Sequence, residues 1–135
     1  MKKLSISVVL VLLAVMLVAC GAKLQDGSYE GQSTPDSRGA YAVVKIEVKN
    51  GKITSAEFLQ YNSDGSLKDE NYGKTSGEEN YKKAQEALEA SKKYPEKLVE
   101  TQNVDKVDSV TGATSSWKQF QEAAKDAVAK AKGNR

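Results

Sequence analysis

Hydrophobic and polar residues alternate between Tyr41 and Val48, which predicts a half-buried β-strand. The favoured hairpin dipeptide Asn50-Gly51 follows, and a second strand is predicted from Ile53 to Gln60. The first strand carries charged residues on one face and apolar residues on the other, which are Ala42, Val44, Ile46 and Val48. We therefore expect a β-hairpin with one face against a core.

The register of this hairpin has two possible arrangements. A regular two-residue turn would place Glu57 opposite Val44, on the apolar face. A slip of one residue would instead align Thr54, Ala56 and Phe58 with that face. We expect the second arrangement, with a β-bulge beside Gly51.

The C-terminal segment has the hydrophobic period of an α-helix. Its apolar positions recur every three or four residues, at Trp117, Phe120, Ala124, Ala127 and Ala131. Ser115 or Ser116 is expected to cap this helix, which is expected to fray from Lys130 onward. The first N–H groups of a helix have no partner within it, and together with the helix dipole they attract phosphates and other anions.

A polar segment and two helical segments are predicted between the hairpin and this helix. Tyr61 to Gly77 is expected to form a loop, in which Tyr61 or Tyr72 could lie over a flat ring system or simply be amphipathic surface residues. Ser76-Gly77-Glu78-Glu79 has the form of a capping box, so a helix is expected from there to Tyr94.

Pro95 is expected to end or kink that helix and to begin a short second one that reaches Gln102. Val104, Val107 and Val110 then predict a short strand that leads into the C-terminal helix. Together these elements predict an α+β fold, in which a small antiparallel sheet with a central hairpin packs against helices.

The N-terminus has the pattern of a secretory signal peptide, with Lys2 and Lys3 followed by a run from Leu4 to Val18 that is apolar except for Ser5 and Ser7. This run is shorter than the roughly 20 residues that a membrane-spanning helix needs. Residues 17–20, Leu-Val-Ala-Cys, resemble a lipobox, in which the peptidase cuts before a diacylated cysteine. We therefore expect removal of residues 1–19, lipidation of Cys20, a tether over residues 20–25, and one domain over residues 26–132.

Composition narrows the possible functions. The whole chain has 20 basic and 18 acidic side chains, so loss of Lys2 and Lys3 leaves equal numbers of the two. The mature chain then has no excess of positive charge that would attract nucleic acid. The chain has no histidine, and its single cysteine is Cys20. Disulfides, iron–sulfur clusters and zinc sites with thiolate or imidazole ligands are therefore excluded for the domain. An electron-transfer function would need an organic cofactor.

The residues from Asp108 to Ser116 are small and rich in hydroxyl groups, and they join the predicted strand to the predicted helix. Gly112 would let a ligand approach the backbone closely, and Ala113 would keep that approach clear. The stretch from Asp108 to Thr114, with the sequence DSVTGAT, resembles the flavinylation motif of the FMN-binding domain family. The opening DGSYEG at residues 26–31 and the segment at residues 94–102 also resemble this family, which includes a component of the sodium-translocating NADH:quinone reductase.

The resemblance implies that a separate flavin transferase cuts FAD and joins FMN by a phosphoester to the hydroxyl of Thr114. It further implies that Asp108 helps the transferase to recognise the site, that Thr111 and Gly112 shape the turn with Ala113, and that Ser115 bonds near the phosphate. The flavin site would lie at a strand-to-helix turn.

The resemblance also implies an electron carrier rather than a stand-alone enzyme, lipid-anchored on the extracytoplasmic face of a bacterial cell membrane. Electrons would come from a membrane dehydrogenase or the quinol pool and pass to a surface flavoprotein or an external acceptor. Two other functions remain open: a lipoprotein that binds FMN or another phosphate-bearing ligand without a covalent bond, and a surface module without a cofactor. In the last case Thr111 and Ser115 would merely cap a helix.

Overall fold

Three antiparallel strands form one sheet in the order β1 (Gly27–Gln32), β2 (Tyr41–Lys49) and β3 (Lys52–Tyr61). The computed structural model describes residues 23–133, so the predicted signal peptide and Cys20 lie outside the described residues. The helices are α1 (Glu78–Ser91), α2 (Lys93–Thr101) and α3 (Thr114–Ala131), and short 3₁₀ turns lie at Lys74–Ser76 and Val104–Lys106. The predicted α+β fold is confirmed.

The predicted hairpin joins β2 to β3. Asn50 and Gly51 both have positive φ, at 54° and 76°, as a two-residue turn of type I′ requires. Phe58 pairs with Val44, and Ala56 pairs with Ile46, so the expected slip of register is present.

The bulge lies further from the turn than expected. The register shifts between Glu47 and Val48, and Ile53 rather than Thr54 pairs with Val48. Ile53 is buried and Thr54 is exposed. The prediction for Thr54 was therefore wrong, because a bulge at this position puts the Ile53 side chain in the core and leaves Thr54 exposed, where its hydroxyl donates to the Glu47 carbonyl oxygen at 3.3 Å.

Helix α3 packs its apolar face against β1 and β2. The predicted face is confirmed for Phe120, Ala124, Ala127 and Ala131, which are fully buried together with Ala123. Ala131 is both helical and buried, so the helix does not fray at Lys130 as expected. Tyr94 and Leu98 of α2 complete the core beside β3.

The start of α1 differs from the predicted capping box. The helix begins at Glu78 after Gly77, which has a φ of 95°, and no side chain caps it. Ser76 instead ends the preceding 3₁₀ turn, one residue too early to cap the helix. Helix α2 begins at Lys93, so Pro95 lies in its first turn, where a missing N–H costs nothing.

The N-terminal residues of the described chain lie against the far end of α3. The Gln25 N–H donates to the Ala131 carbonyl oxygen at 2.8 Å, and Leu24 packs against the core. The Gly51 N–H donates to Asp26 Oδ1 at 3.0 Å, and with the Asn50 N–H it lowers the pKa of that carboxyl. Contacts with the fold thus begin within the segment expected to be a tether. No helix among residues 23–133 is long and apolar enough to cross a bilayer.

We predict that Gly31→Ala destabilises the domain by about 1–3 kcal/mol or more, the usual cost of overpacking. A Cβ at residue 31 would lie 2.1 Å from the Ala123 carbonyl oxygen and 2.3 Å from the Ala127 nitrogen, both of which are helix backbone. Urea unfolding would measure the change. Gln32→Ala is the matched control, since it changes an exposed side chain on the same strand. Equal midpoints for the two variants would contradict the close approach.

Candidate functional site

A tight turn from Val110 to Ala113 leads into α3. The Ala113 N–H donates to the Val110 carbonyl oxygen at 3.0 Å, which closes the turn. Thr111 and Gly112 are its central residues, and both are exposed. Gly112 has a φ of 86°, and a glycine is favoured at the third position of a turn with such a φ. A Cβ on Gly112 would meet no atom within 4 Å, so the backbone here faces open space.

The hydroxyl of Tyr94 holds both ends of this turn from inside the protein. It accepts the Val110 N–H at 3.0 Å and donates to the Ala113 carbonyl oxygen at 2.9 Å. Tyr94 is fully buried, and its ring packs against Phe58 and Phe120. From the sequence, this tyrosine is expected only to end a helix. The position of its hydroxyl has no local sequence signal, because its partners lie 16 and 19 residues further along the chain.

Helix α3 begins at Thr114 without a side-chain cap, and Ala113 is its N-cap residue. The expected cap by Ser115 or Ser116 was therefore wrong. Ser116 instead donates its hydroxyl to Gln60 Oε1 at 2.8 Å, and Gln60 Nε2 donates to Ser91 Oγ at 2.9 Å. These bonds tie the first turn of α3 to β3 and α1.

Three backbone N–H groups remain free at the start of α3. The Trp117 N–H is the first that bonds back along the chain, to the Ala113 carbonyl oxygen at 2.9 Å. The preceding N–H groups, those of Thr114, Ser115 and Ser116, have no acceptor of this kind within the described chain. Together with the dipole of the 18-residue helix, these groups have the chemistry to bind an anion.

The segment before the turn is not the predicted strand. A 3₁₀ turn spans Val104–Lys106, and α3 side chains bind the carbonyl groups that a strand would use. Trp117 Nε1 donates to the Val107 oxygen at 2.6 Å, and Gln121 Nε2 donates to the Val104 and Val107 oxygens at 2.9 and 3.1 Å. The site therefore lies at a turn that follows a 3₁₀ segment, not at a strand-to-helix turn.

The predicted site residues lie in one short segment, residues 108–115, and their exposures separate them into two groups. Asp108, Thr111, Gly112, Thr114 and Ser115 are exposed and available to a ligand or an enzyme. Ala113 is 2% exposed and packs in the core, so it anchors the turn instead of bordering an open approach.

The two tyrosines considered as ring contacts have partners within the protein. Tyr61 belongs to β3 and stacks on Tyr41, with ring centroids 5.1 Å apart. The Lys68 ammonium lies 4.6 Å from the centre of the Tyr72 ring. Neither contact links these rings to the turn, and both residues are only partly buried.

An FMN phosphate fits the site by its chemistry. Thr114, the first residue of α3, carries an exposed hydroxyl, and the uncapped N–H groups of the first turn are near it in the chain. Gly112, two residues before it, faces open space. These are the groups that a phosphate at a helix start uses.

One family model and two solved structures are similar to the chain. The sequence model of the family described as FMN-binding domain matches residues 39–129, from the start of β2 through most of α3. The crystal structure of the CPE2226 protein from Clostridium perfringens is 30% identical, with a TM-score of 0.67 over 82% of this chain and 90% of that one. A solution structure from Clostridium thermocellum is 26% identical, with a TM-score of 0.49 over 83% and 95% of the two chains. No curated protein matches the chain.

We predict that Gly112→Ala and Gly65→Ala destabilise the domain equally, by about 1–2 kcal/mol each, because an L-residue is strained at positive φ. The two glycines share a φ of 86°, and a Cβ on either would meet no atom within 4 Å. Urea unfolding of both variants would check this. A much larger loss for Gly112→Ala would mean that packing, and not φ alone, requires this glycine.

Proposed function

Because this chain belongs to the FMN-binding domain family, whose sequence model covers residues 39–129, we propose that it carries electrons on an FMN joined by a phosphoester to Thr114. Binding of FMN follows from the family, whereas the covalent bond is our proposal. The observation that supports it is the exposed hydroxyl of Thr114 on the first residue of an uncapped helix. FMN supplies one- or two-electron transfer, and the protein supplies attachment, orientation and electrostatics.

The start of α3 would stabilise the phosphoester. An esterified phosphate keeps a negative charge, which the N–H groups of Thr114, Ser115 and Ser116 can stabilise by hydrogen bonding. The exposed hydroxyl of Ser115 adds a donor beside them. Gly112 has no side chain to obstruct the approach of the phosphate.

The local contacts also favour Thr114 over its neighbour Ser116 as the acceptor. The Ser116 hydroxyl is half-buried and already donates to Gln60. Thr114 is exposed and has the position that the family modifies. Thr111 and Ser115 are exposed too. We propose that the transferase selects Thr114 among these three hydroxyls and that Asp108 is part of its recognition site.

Attachment is a group transfer without change of oxidation state. The Thr114 oxygen attacks the phosphorus on the FMN side of FAD, the pyrophosphate bond breaks, AMP leaves, and the hydroxyl proton passes to solvent. No oxidant or reductant is consumed, and the chain gains the mass of FMN minus one water.

The geometry of α3 supports an arrangement in which lipid and flavin lie at opposite ends of the domain. Gln25, five residues after Cys20, bonds to Ala131 at the C-terminal end of α3, and Thr114 begins the helix. An 18-residue helix is about 27 Å long. We propose that a lipidated Cys20 holds the domain at the outer face of a bacterial membrane. A membrane dehydrogenase or the quinol pool would be the donor, and a surface flavoprotein or external compound the acceptor.

Non-covalent binding of FMN, or of another phosphate-bearing ligand, is the second candidate. The uncapped start of α3 favours it as well, since an anion can bind there without a covalent bond. The two candidates differ in their dependence on one oxygen atom, the Thr114 hydroxyl.

We predict that Thr114→Val abolishes covalent flavin, because valine keeps the shape of threonine and lacks the nucleophilic oxygen. The full chain would be coexpressed in exported form with a flavin transferase, and the peptide containing residue 114 would be examined by mass spectrometry. The wild-type peptide should gain FMN minus one water, and Thr114→Val should gain nothing.

Ser109→Ala is the matched control, since it removes an exposed hydroxyl of the same segment that has no assigned role, and it should retain the adduct. An unmodified wild-type peptide from a protein that stays yellow after gel filtration would favour non-covalent binding. An adduct that persists in Thr114→Val would place the bond on another hydroxyl.

A further inference from the structure

We infer that Tyr94 is a positioning residue for flavin attachment: its buried hydroxyl fixes the Val110–Ala113 turn and thereby presents Thr114 to the transferase. The inference rests on the proposed attachment at Thr114. It concerns a residue on α2, outside the motif, whose side chain is fully buried.

The Tyr94 hydroxyl donates one hydrogen bond and accepts another. Its single proton goes to the Ala113 carbonyl oxygen, and a lone pair accepts the Val110 N–H. The ring cannot readily move, because it is fully buried and its centroid lies 5.5 Å from that of Phe120 and 6.3 Å from that of Phe58. A group fixed in the core therefore holds both ends of a turn whose central residues are exposed.

Two hydrogen bonds to the Ala113 carbonyl oxygen, from Tyr94 and from the Trp117 N–H, set the direction of the next N–H group. The Ala113 carbonyl and the Thr114 N–H belong to one planar peptide unit, and in a trans peptide they point in opposite directions. Tyr94 and the Trp117 N–H together hold the carbonyl toward the protein. The Thr114 N–H must then point away from them, toward the open side where the phosphate would bind.

Removal of the Tyr94 hydroxyl would loosen the turn from Val110 to Ala113 without unfolding α3. In Tyr94→Phe the Val110 N–H loses its partner, whereas the Ala113 oxygen keeps the Trp117 N–H. The start of α3 would remain helical, but the Val110 end of the turn would no longer be held by a hydrogen bond to residue 94. Misplacement of a reacting group by about 1 Å can reduce a rate by roughly a hundredfold, so a partial loosening should cost at least about tenfold.

The test compares rates of FMN attachment to the full apo chain over a range of transferase concentrations. Tyr94→Phe should lower kcat/KM for the transferase by about tenfold or more relative to wild type. Ile53→Val is the matched control, because it removes one buried methylene near the Asn50-Gly51 turn, at the other end of the sheet. That variant should stay within about twofold of wild type, even with a comparable loss of stability.

Hydrogen exchange of the Val110 amide provides an independent measurement on the unmodified chain. The amide should exchange faster in Tyr94→Phe and at the wild-type rate in Ile53→Val after correction for global stability. If Tyr94→Phe does not fold, Trp117→Phe serves as the second variant, since it removes the shorter of the two hydrogen bonds to the Val107 oxygen just before the turn and leaves only the one from Gln121. Trp117→Phe should also lower the rate of FMN attachment.

Equal rates for wild type and Tyr94→Phe would overturn the inference, as would equal slowing in Ile53→Val. A faster rate in Tyr94→Phe would also overturn it, because the transferase would then require a loosened turn. A wild-type chain that gains no mass would overturn the proposed attachment, and the inference with it.

Discussion

The close contact between α3 and β1 is the constraint on which the rest of the structure depends. At Gly31 the helix backbone lies so near the strand that no side chain fits between them. The facing helix positions are alanines, including Ala123 and Ala127, which allow this distance. A helix packed in this way has little freedom to slide or tilt. Its first residue, Thr114, therefore has a fixed place relative to the sheet, and its last, Ala131, has a fixed place beside the N-terminal strand.

The site divides its tasks between buried and exposed residues. Buried or half-buried groups on α2 and α3, chiefly Tyr94, Trp117 and Gln121, bind the backbone of residues 104–113. The exposed side chains of Thr111, Thr114 and Ser115 are then available for chemistry, while the fold holds the turn. Such a division suits a segment that another enzyme must recognise and modify.

Local patterns in the sequence predicted the hairpin and the apolar face of α3, and they singled out the stretch of the candidate site. Those features depend on neighbours in the chain, such as Asn50-Gly51, and on regular spacing. The errors arose where distant groups decide the structure. The segment from Val104 to Val110 has the valine spacing of a strand, but Trp117 and Gln121 bind its carbonyl groups from α3. Likewise, nothing near Tyr94 in the sequence shows that its hydroxyl binds a turn that begins 16 residues further along the chain.

The exposure of the turn bears on why a covalent bond would be useful here. Sites that retain small molecules without covalent bonds usually enclose about 70–90% of the ligand surface. Two hollows of the described chain lie away from the turn, one beside Asn50-Gly51 and one on the outer face of the sheet near Lys45. The free N–H groups at the start of α3 can bind a phosphate, but they cannot enclose a flavin ring. A phosphoester at Thr114 would supply retention that this open surface lacks, since a tethered group stays at a high effective concentration whatever its affinity. The ring would then be accessible to a redox partner.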